Sequence, residues 1–445
     1  MRTPICDFVK KYADSKSVRL HMPGHKGVGS LCESLDITEI AGADSLFEAN
    51  GIIRESEKNA SALFGSETFY STEGSSLCIR AMVYMLSLYA KEIGRKPLIL
   101  AGRNAHKTFL SALALTDTDV FWIYPKKYES YLSCSVTASE LEDIFKSSSE
   151  LPIAVYLTSP DYLGNFSDIA GVAEVCHKYG VLLCVDNAHG AYLKFLSPSK
   201  HPIDLGADIC CDSAHKTLPA LTGSAYLHVS KNAPESFSRE AKNALCLFAS
   251  TSPSYLLLES LDKTNAYLEG HAERLNAFLP LLDSLREELC ANGYALIENE
   301  ELKITIDAKA YGYYGDELAD ILYKNGIVCE FADRDHLVMM FTPENSSSDI
   351  DKVKKALTSI EKKEALVNAP KEFFAPVRAM SVREAVFSPQ ERLPIYECEG
   401  RVLASASVPC PPAVPIVVSG EIIDKNAIEL FEYYGIDSCV VVKKK

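Results

Sequence analysis

Two hydrophobic periods alternate along the middle of this chain. Short continuous apolar runs are each followed by a stretch of helical periodicity: "KPLILAG" by "HKTFLSALALT", and "PIAVYLTSP" by "DIAGVAEVCHKYG". Next come "VLLCVDNAHG" and, after a short helical or loop segment, "ADICCDS". Continuous apolar runs bounded by turn residues read as strands buried on both faces, so the pattern predicts a parallel sheet covered by helices. Residues 263–295 carry leucines at helical spacing and end on an Asn-Gly stop. "ELKITIDA", "GIVCEFAD" and "HLVMMFTP" then supply strands around a further helix, which suggests a smaller α+β domain. The stretch "EKKEALVNAPKEFFAP" has the composition of a linker, and proline-rich "VPCPPAVPIVVSGE" with "SCVVVKKK" reads as a compact tail module. The expectation is an α/β protein with a parallel-rich sheet and four parts: an arm (1–55), a large domain (56–262), a small domain (263–368) and a C-terminal module (369–445). No internal repeat interrupts this plan.

Composition narrows the function classes. A chain of 445 residues with 47% apolar and 24% charged residues has ample material for more than one core. The net charge of -15 argues against nucleic acid and anionic membrane as partners. It suits solubility, and it would favour approach of a cationic substrate. Fourteen cysteines are scattered, none as C-x-x-C, so neither a zinc knuckle nor a thioredoxin-type motif is expected. The start lacks an apolar signal region, and no run approaches the roughly 18 apolar residues of a membrane span. A reduced cytoplasmic setting is the expectation.

Ligands of an open parallel sheet collect beyond the carboxyl ends of its strands, and four such ends here carry unusual residues. "YSTEGSS" places Gly74, Ser75 and Ser76 at the start of an apolar helix, where amides and hydroxyls can cradle a phosphate. The ordinary alternative is a serine N-cap. "AGRNAHKT" presents His106 after a strand, and "VDNAHG" places Asp186 and His189 after another. "CCDSAHKTLPALTGSAYLH" sets Lys216 among Ser213, His215 and Thr217, with Asp212 the one nearby carboxylate. Each is commonly structural when taken singly. Together they match what a pyridoxal phosphate enzyme of the aspartate-aminotransferase fold requires: a phosphate cradle, a ring-stacking plane, a carboxylate for the pyridine nitrogen and a Schiff-base lysine.

On these residues, and on "HMPGHKG", "DSLFEANGII", "TSPSY" and "CPPAVPIVVSGE", the chain resembles the bacterial ornithine/lysine/arginine decarboxylases, a fold-type-I pyridoxal phosphate group. The resemblance spans nearly the whole length, and the tail separates it from aminotransferases. It implies Lys216 as the Schiff-base lysine, Asp186 as the pyridinium partner, His106 stacked on the ring and His189 near its phenolic oxygen. Ser75, Ser76, Ser213 and His215 would hold the phosphate, joined by Ser252 from a neighbouring subunit. Lys216 or His215 would return a proton to the substrate carbon. The resemblance further implies at least a homodimer with active sites at the subunit interface, and a basic amino acid as substrate: arginine or lysine first, ornithine next.

Departures from the family pattern are Asn187 for a usual Glu, Gly223 for Gln and Ala413 for Gly. The chain also lacks the long N-terminal wing of the largest members, so a shorter, biosynthetic type feeding polyamine metabolism is expected. Glu48 and Glu421 are the motif acids available to read a cationic side chain, against the alternative of a cap or surface carboxylate. "GHKGVGS" lacks the Lys-Ser/Thr and the preceding strand of a nucleotide loop, which is rejected. The rival readings are a transaminase or lyase using the same cofactor, and a non-catalytic binding protein on the same fold.

Overall fold

The computed structural model describes all residues except 127–129, 298–299, 369–372, 374, 406–411 and 445. The linker stretch and the start of the proline-rich tail therefore lie partly outside the described residues. Seven strands form the main sheet: β1 (Glu67–Ser71), β2 (Leu98–Gly102), β3 (Asp119–Ile123), β4 (Ala154–Thr158), β5 (Leu182–Asp186), β6 (Ile209–Asp212) and β7 (Ala225–Val229). Their order is β1-β7-β6-β5-β4-β2-β3. β2 pairs with β3, and β5 with β6, in parallel, whereas β7 runs antiparallel to β6 and β1 antiparallel to β7. The expected parallel-rich sheet is present, with β7 reversed against β6 and β1, beyond it, running in the direction of β5 and β6 again. β2, β5, β6 and β7 are buried along their whole length, as their continuous apolar runs demand.

Contacts group the chain into two compact units. The first comprises Met1–Pro97, Ala138–Tyr156 and Ile169–Glu273; the second comprises Leu98–Thr137, Leu157–Asp168 and Arg274–Lys445. In the first unit, the segment expected as a polar arm carries a helix, Pro4–Asp14, whose Ile5, Cys6 and Val9 are buried. Asp262 accepts from the backbone amides of Ile5 and Cys6 at 3.0 and 3.1 Å, supplying the cap that the helix's own Thr3 does not. The helical periodicity read over 263–295 falls on the end of one helix, Tyr255–Leu268, and on a second, His271–Ala291, parted at Glu269 and Gly270.

The second unit holds two smaller antiparallel sheets. One contains β8 (Ala295–Ile297), β9 (Lys303–Asp307), β10 (Phe331–Ala332) and β11 (His336–Met340), in the order β10-β11-β9-β8. "GIVCEFAD" supplies only the short edge strand β10, because Val328 points into solvent and offers no buried face. The other, ordered β12-β14-β13, joins β12 (Gln390–Pro394), β13 (Leu403–Ser405) and β14 (Ser438–Val442). Its core unites Leu403, Ile416, Val417, Phe431 and Val441. Among the described residues no helix is long and apolar enough to cross a membrane.

Candidate active site

Parallel β5 and β6 end side by side, with Asp186 in register with Cys211. Asp186 is the last residue of β5 and is 2% exposed. Its carboxylate accepts from the Tyr156 hydroxyl at 3.2 Å, the Ala188 amide at 3.3 Å and, more distantly, the Cys211 thiol at 3.6 Å. Burial pushes its pKa above the ordinary value, and the Lys216 cation is the main influence drawing it back. Lys216 lies on a single helical turn, Ala214–Thr217, directly after β6. Its Nζ stands 2.8 Å from His189 Nε2, so an ammonium there donates to an imidazole whose proton is on Nδ1. Asp186, His189 and Lys216 are thus gathered as the sequence predicts.

The serine cluster does not cap its helix. The helix Gly74–Glu92 starts after Glu73, whose side chain makes no cap bond, and Ser75 and Ser76 fall within its first turn. Ser213 Oγ donates to Ser75 Oγ at 2.8 Å, joining the turn that carries Lys216 to this helix start. Gly223 closes the same corner, its carbonyl accepting from the Gly74 amide at 2.7 Å. Gly223 has φ +100, and a Cβ there would meet the Thr72 carbonyl oxygen at 3.3 Å and Leu257 Cδ1 at 3.1 Å. Glycine in place of glutamine therefore fits this chain's own backbone. His215 is half-buried and donates Nδ1–H to the Ser224 carbonyl at 3.0 Å. Burial lowers its pKa, with the adjacent Lys216 adding to the effect, so Nε2 is left as an acceptor. Ser252 is exposed; the Ser250 amide in its loop donates to Glu73 Oε1 at 2.7 Å, which anchors the loop at the same helix start.

Asn187 does not act as a missing charge beside Asp186. It is buried and donates Nδ2–H to Asp212 Oδ1 at 2.7 Å. Asp212 Oδ2 also takes the Nε2–H of His201 at 3.1 Å and of His228 at 3.2 Å. His228 Nδ1 faces the Thr68 hydroxyl at 2.9 Å. Burial alone would raise the Asp212 carboxyl, but the two histidines outweigh it and hold it well below the usual carboxylate range. This network escaped sequence reasoning, since its members lie on separate segments.

Of the remaining predicted residues, His106 and Glu421 lie in the second unit and Glu48 in the first. His106 is the N-cap of the helix Lys107–Thr116, and its Nδ1 accepts from the Thr108 amide at 3.1 Å. The neutral tautomer with the proton on Nε2 follows. Glu421 is not free to read a substrate. It is buried, pairs with Arg103 at 2.9 Å and accepts from the Val418 amide at 2.8 Å. Burial raises its carboxyl and Arg103 draws it back. Glu48 is exposed.

The family model for "Orn/Lys/Arg decarboxylase, major domain" matches residues 3–297, and that for the C-terminal domain matches residues 360–437. The chain belongs to the Orn/Lys/Arg decarboxylase family. Within that family it is 28% identical to an arginine decarboxylase of Bacillus subtilis, over 96% of this chain and 92% of that one. It is 27% identical to an arginine decarboxylase of Halalkalibacterium halodurans, over 96% and 92%. The lysine decarboxylase LdcF of Francisella novicida superposes with a TM-score of 0.79 at 16% identity, covering 99% of this chain and 81% of that one. A NifS-like protein superposes at 0.55 over 71% of this chain, which supports the same fold type. This decarboxylase is pyridoxal-phosphate-dependent, and the residues present fit that group. Asp186 is a buried carboxylate with few donors of its own, suited to a cationic ring nitrogen. The Ser75–Ser213 hydroxyl pair stands at a helix N-terminus, suited to a phosphate.

Proposed function

We propose that this protein decarboxylates a basic L-amino acid, arginine or lysine first and ornithine next, releasing CO2 and the corresponding amine into polyamine metabolism. The observation that carries the chemistry is the juxtaposition of the buried Asp186 carboxylate with Lys216, whose Nζ stands 2.8 Å from His189 Nε2. The relatives named arginine decarboxylase, matched over 96% of this chain, support the substrate class. Pyridoxal phosphate, when bound, supplies a conjugated electron sink for the pair of electrons left at the α-carbon.

The protein's own residues set the rest of the reaction. Lys216, on the turn directly after β6, would hold the cofactor covalently. Asp186 would hold the ring nitrogen protonated, a cation that offsets the cost of burying its carboxylate. His106 supplies a flat neutral face for the ring. His189, accepting from Lys216, keeps the amine oriented towards the reacting carbon. Gly74, Ser75, Ser76 and Ser213 hold the phosphate, with Ser252 contributed by a second copy. Lys216 or the neutral His215 returns the proton to the α-carbon after CO2 leaves. The enzyme is cytoplasmic in this reading and works as a homodimer or a higher homo-oligomer. The exposed apolar residues Val18, Leu20, Met22, Val28 and Leu31 support a partner surface there. Glu48, in the same arm, is left to read the substrate's cationic end.

A panel of arginine, lysine and ornithine, with agmatine, cadaverine and putrescine assayed beside CO2, tests this. Expected is an amine matching arginine or lysine, with Glu48→Gln raising KM and leaving cofactor content unchanged. A keto acid as product would overturn the reading in favour of a transaminase.

A further inference from the structure

The Arg103–Glu421 pair joins residues 318 apart in sequence. Arg103 begins the turn between β2 and the helix Lys107–Thr116, three residues before His106. Its side chain is 1% exposed and that of Glu421 is 3% exposed. Beyond Glu421, the guanidinium donates to the Pro415 carbonyl through Nη1 and to the Ile416 carbonyl through Nη2, each at 2.9 Å. It lies 5.4 Å from the ring centres of both Trp122 and Phe373. The other end of the turn is held by the same tail: the Lys107 amide donates to the Ala413 carbonyl at 2.8 Å. Tail residues 413–421 therefore hold the Arg103 side chain on one side of His106 and the Lys107 backbone amide on the other. The tail is itself fixed at Gly420, where φ is +93 and any Cβ would stand 2.4 Å from the Met380 carbonyl oxygen.

We propose that Arg103 and Glu421 are positioning residues, through which the C-terminal module sets the His106 imidazole and so governs how tightly the cofactor is retained. The inference rests on the reading that His106 faces the cofactor ring. It differs from a stability role, because a buried ion pair contributes little net stability by itself whereas its geometry fixes the groups around it. Glu421→Gln keeps the shape and an acceptor for the Val418 amide, but weakens the hold on Arg103 by removing a charge-assisted bond.

The test is a two-residue cycle read by cofactor release, followed in the absorbance of the holoenzyme diluted into a trap. Glu421→Gln and His106→Ala should each speed release by on the order of tenfold. The double variant should release no faster than His106→Ala alone, since both act through one ring. If the two effects multiply, or if Glu421→Gln releases at the wild-type rate, the positioning role is overturned while the His106 reading stands. If His106→Ala itself leaves release unchanged, the ring-stacking reading falls and takes this proposal with it. Should Glu421→Gln fail to fold, Arg103→Lys serves in the same cycle. It keeps the cation but cannot reach both carbonyls, and the same outcomes decide.

Discussion

Asp186 and Asp212 end neighbouring strands, yet their surroundings drive them in opposite directions. Three N–H donors, from His201, His228 and Asn187, stabilise the Asp212 anion. Asp186 receives a single hydroxyl, one long amide bond and a thiol, and burial raises it. The N–H donors and histidines stabilise one anion, whereas the other is stabilised chiefly by the Lys216 cation, which does not offset its burial. The contrast gives a pH prediction. A carboxyl held lower in the folded chain than its unfolded value near 3.9 contributes stability above about pH 4, and that contribution is lost as pH falls below it. Asp212→Asn should therefore lower the Tm of the apoprotein at pH 7 and flatten its decline between about pH 5 and 3. Equal slopes in the two proteins would remove Asp212 from the account. Lys216, Asp186 and the serine pair were legible in the sequence because each follows a recognisable strand. The Asp212 network was not, since nothing in "VDNAHG" says that Asn187 turns towards the next strand.

Among the elements, the tail segment shows where sequence reasoning stopped short. Glu421 stands out by motif, but its partner lies 318 residues away, and no local pattern announces that pairing. The result is a carboxylate with a structural partner where a substrate contact was expected. Ala413 tells a related story. Its φ of +58 is left-handed, the region where glycine is usual, and its methyl is fully buried. Strain of about 1–2 kcal/mol is balanced by a buried methyl of about 0.8 kcal/mol and the backbone entropy that glycine would lose, about 0.5–1 kcal/mol. Ala413→Gly should accordingly leave Tm nearly unchanged. Ala112→Gly, at a fully buried helical position, should lower it clearly, by about 1 kcal/mol of lost propensity plus the buried methyl. A comparable drop in both melts would show that the left-handed backbone at Ala413 carries no strain.

For the whole molecule, the alternation of apolar runs made the parallel-rich sheet readable, while the reversed β7 and the break between helices at Glu269 and Gly270 were not. Strand direction depends on crossovers that no local period encodes. Five large apolar side chains between Val18 and Leu31 are 72–89% exposed, which a single copy leaves uncovered. Sedimentation should find at least a dimer, and Leu20→Asp with Leu31→Asp should shift it towards monomer; a wild-type monomer would contradict the assembly. The central claim is that Lys216 and Asp186 make this chain a decarboxylase. It is tested most directly by release of labelled CO2 from carboxyl-labelled arginine and lysine by reconstituted wild type, Lys216→Ala and Asp186→Asn. The account predicts one CO2 per amine formed by wild type, none above background from Lys216→Ala, and a loss on the order of 10^2-fold or more in Asp186→Asn. Turnover by Lys216→Ala at the wild-type rate, or no CO2 from wild type with either amino acid, would contradict it.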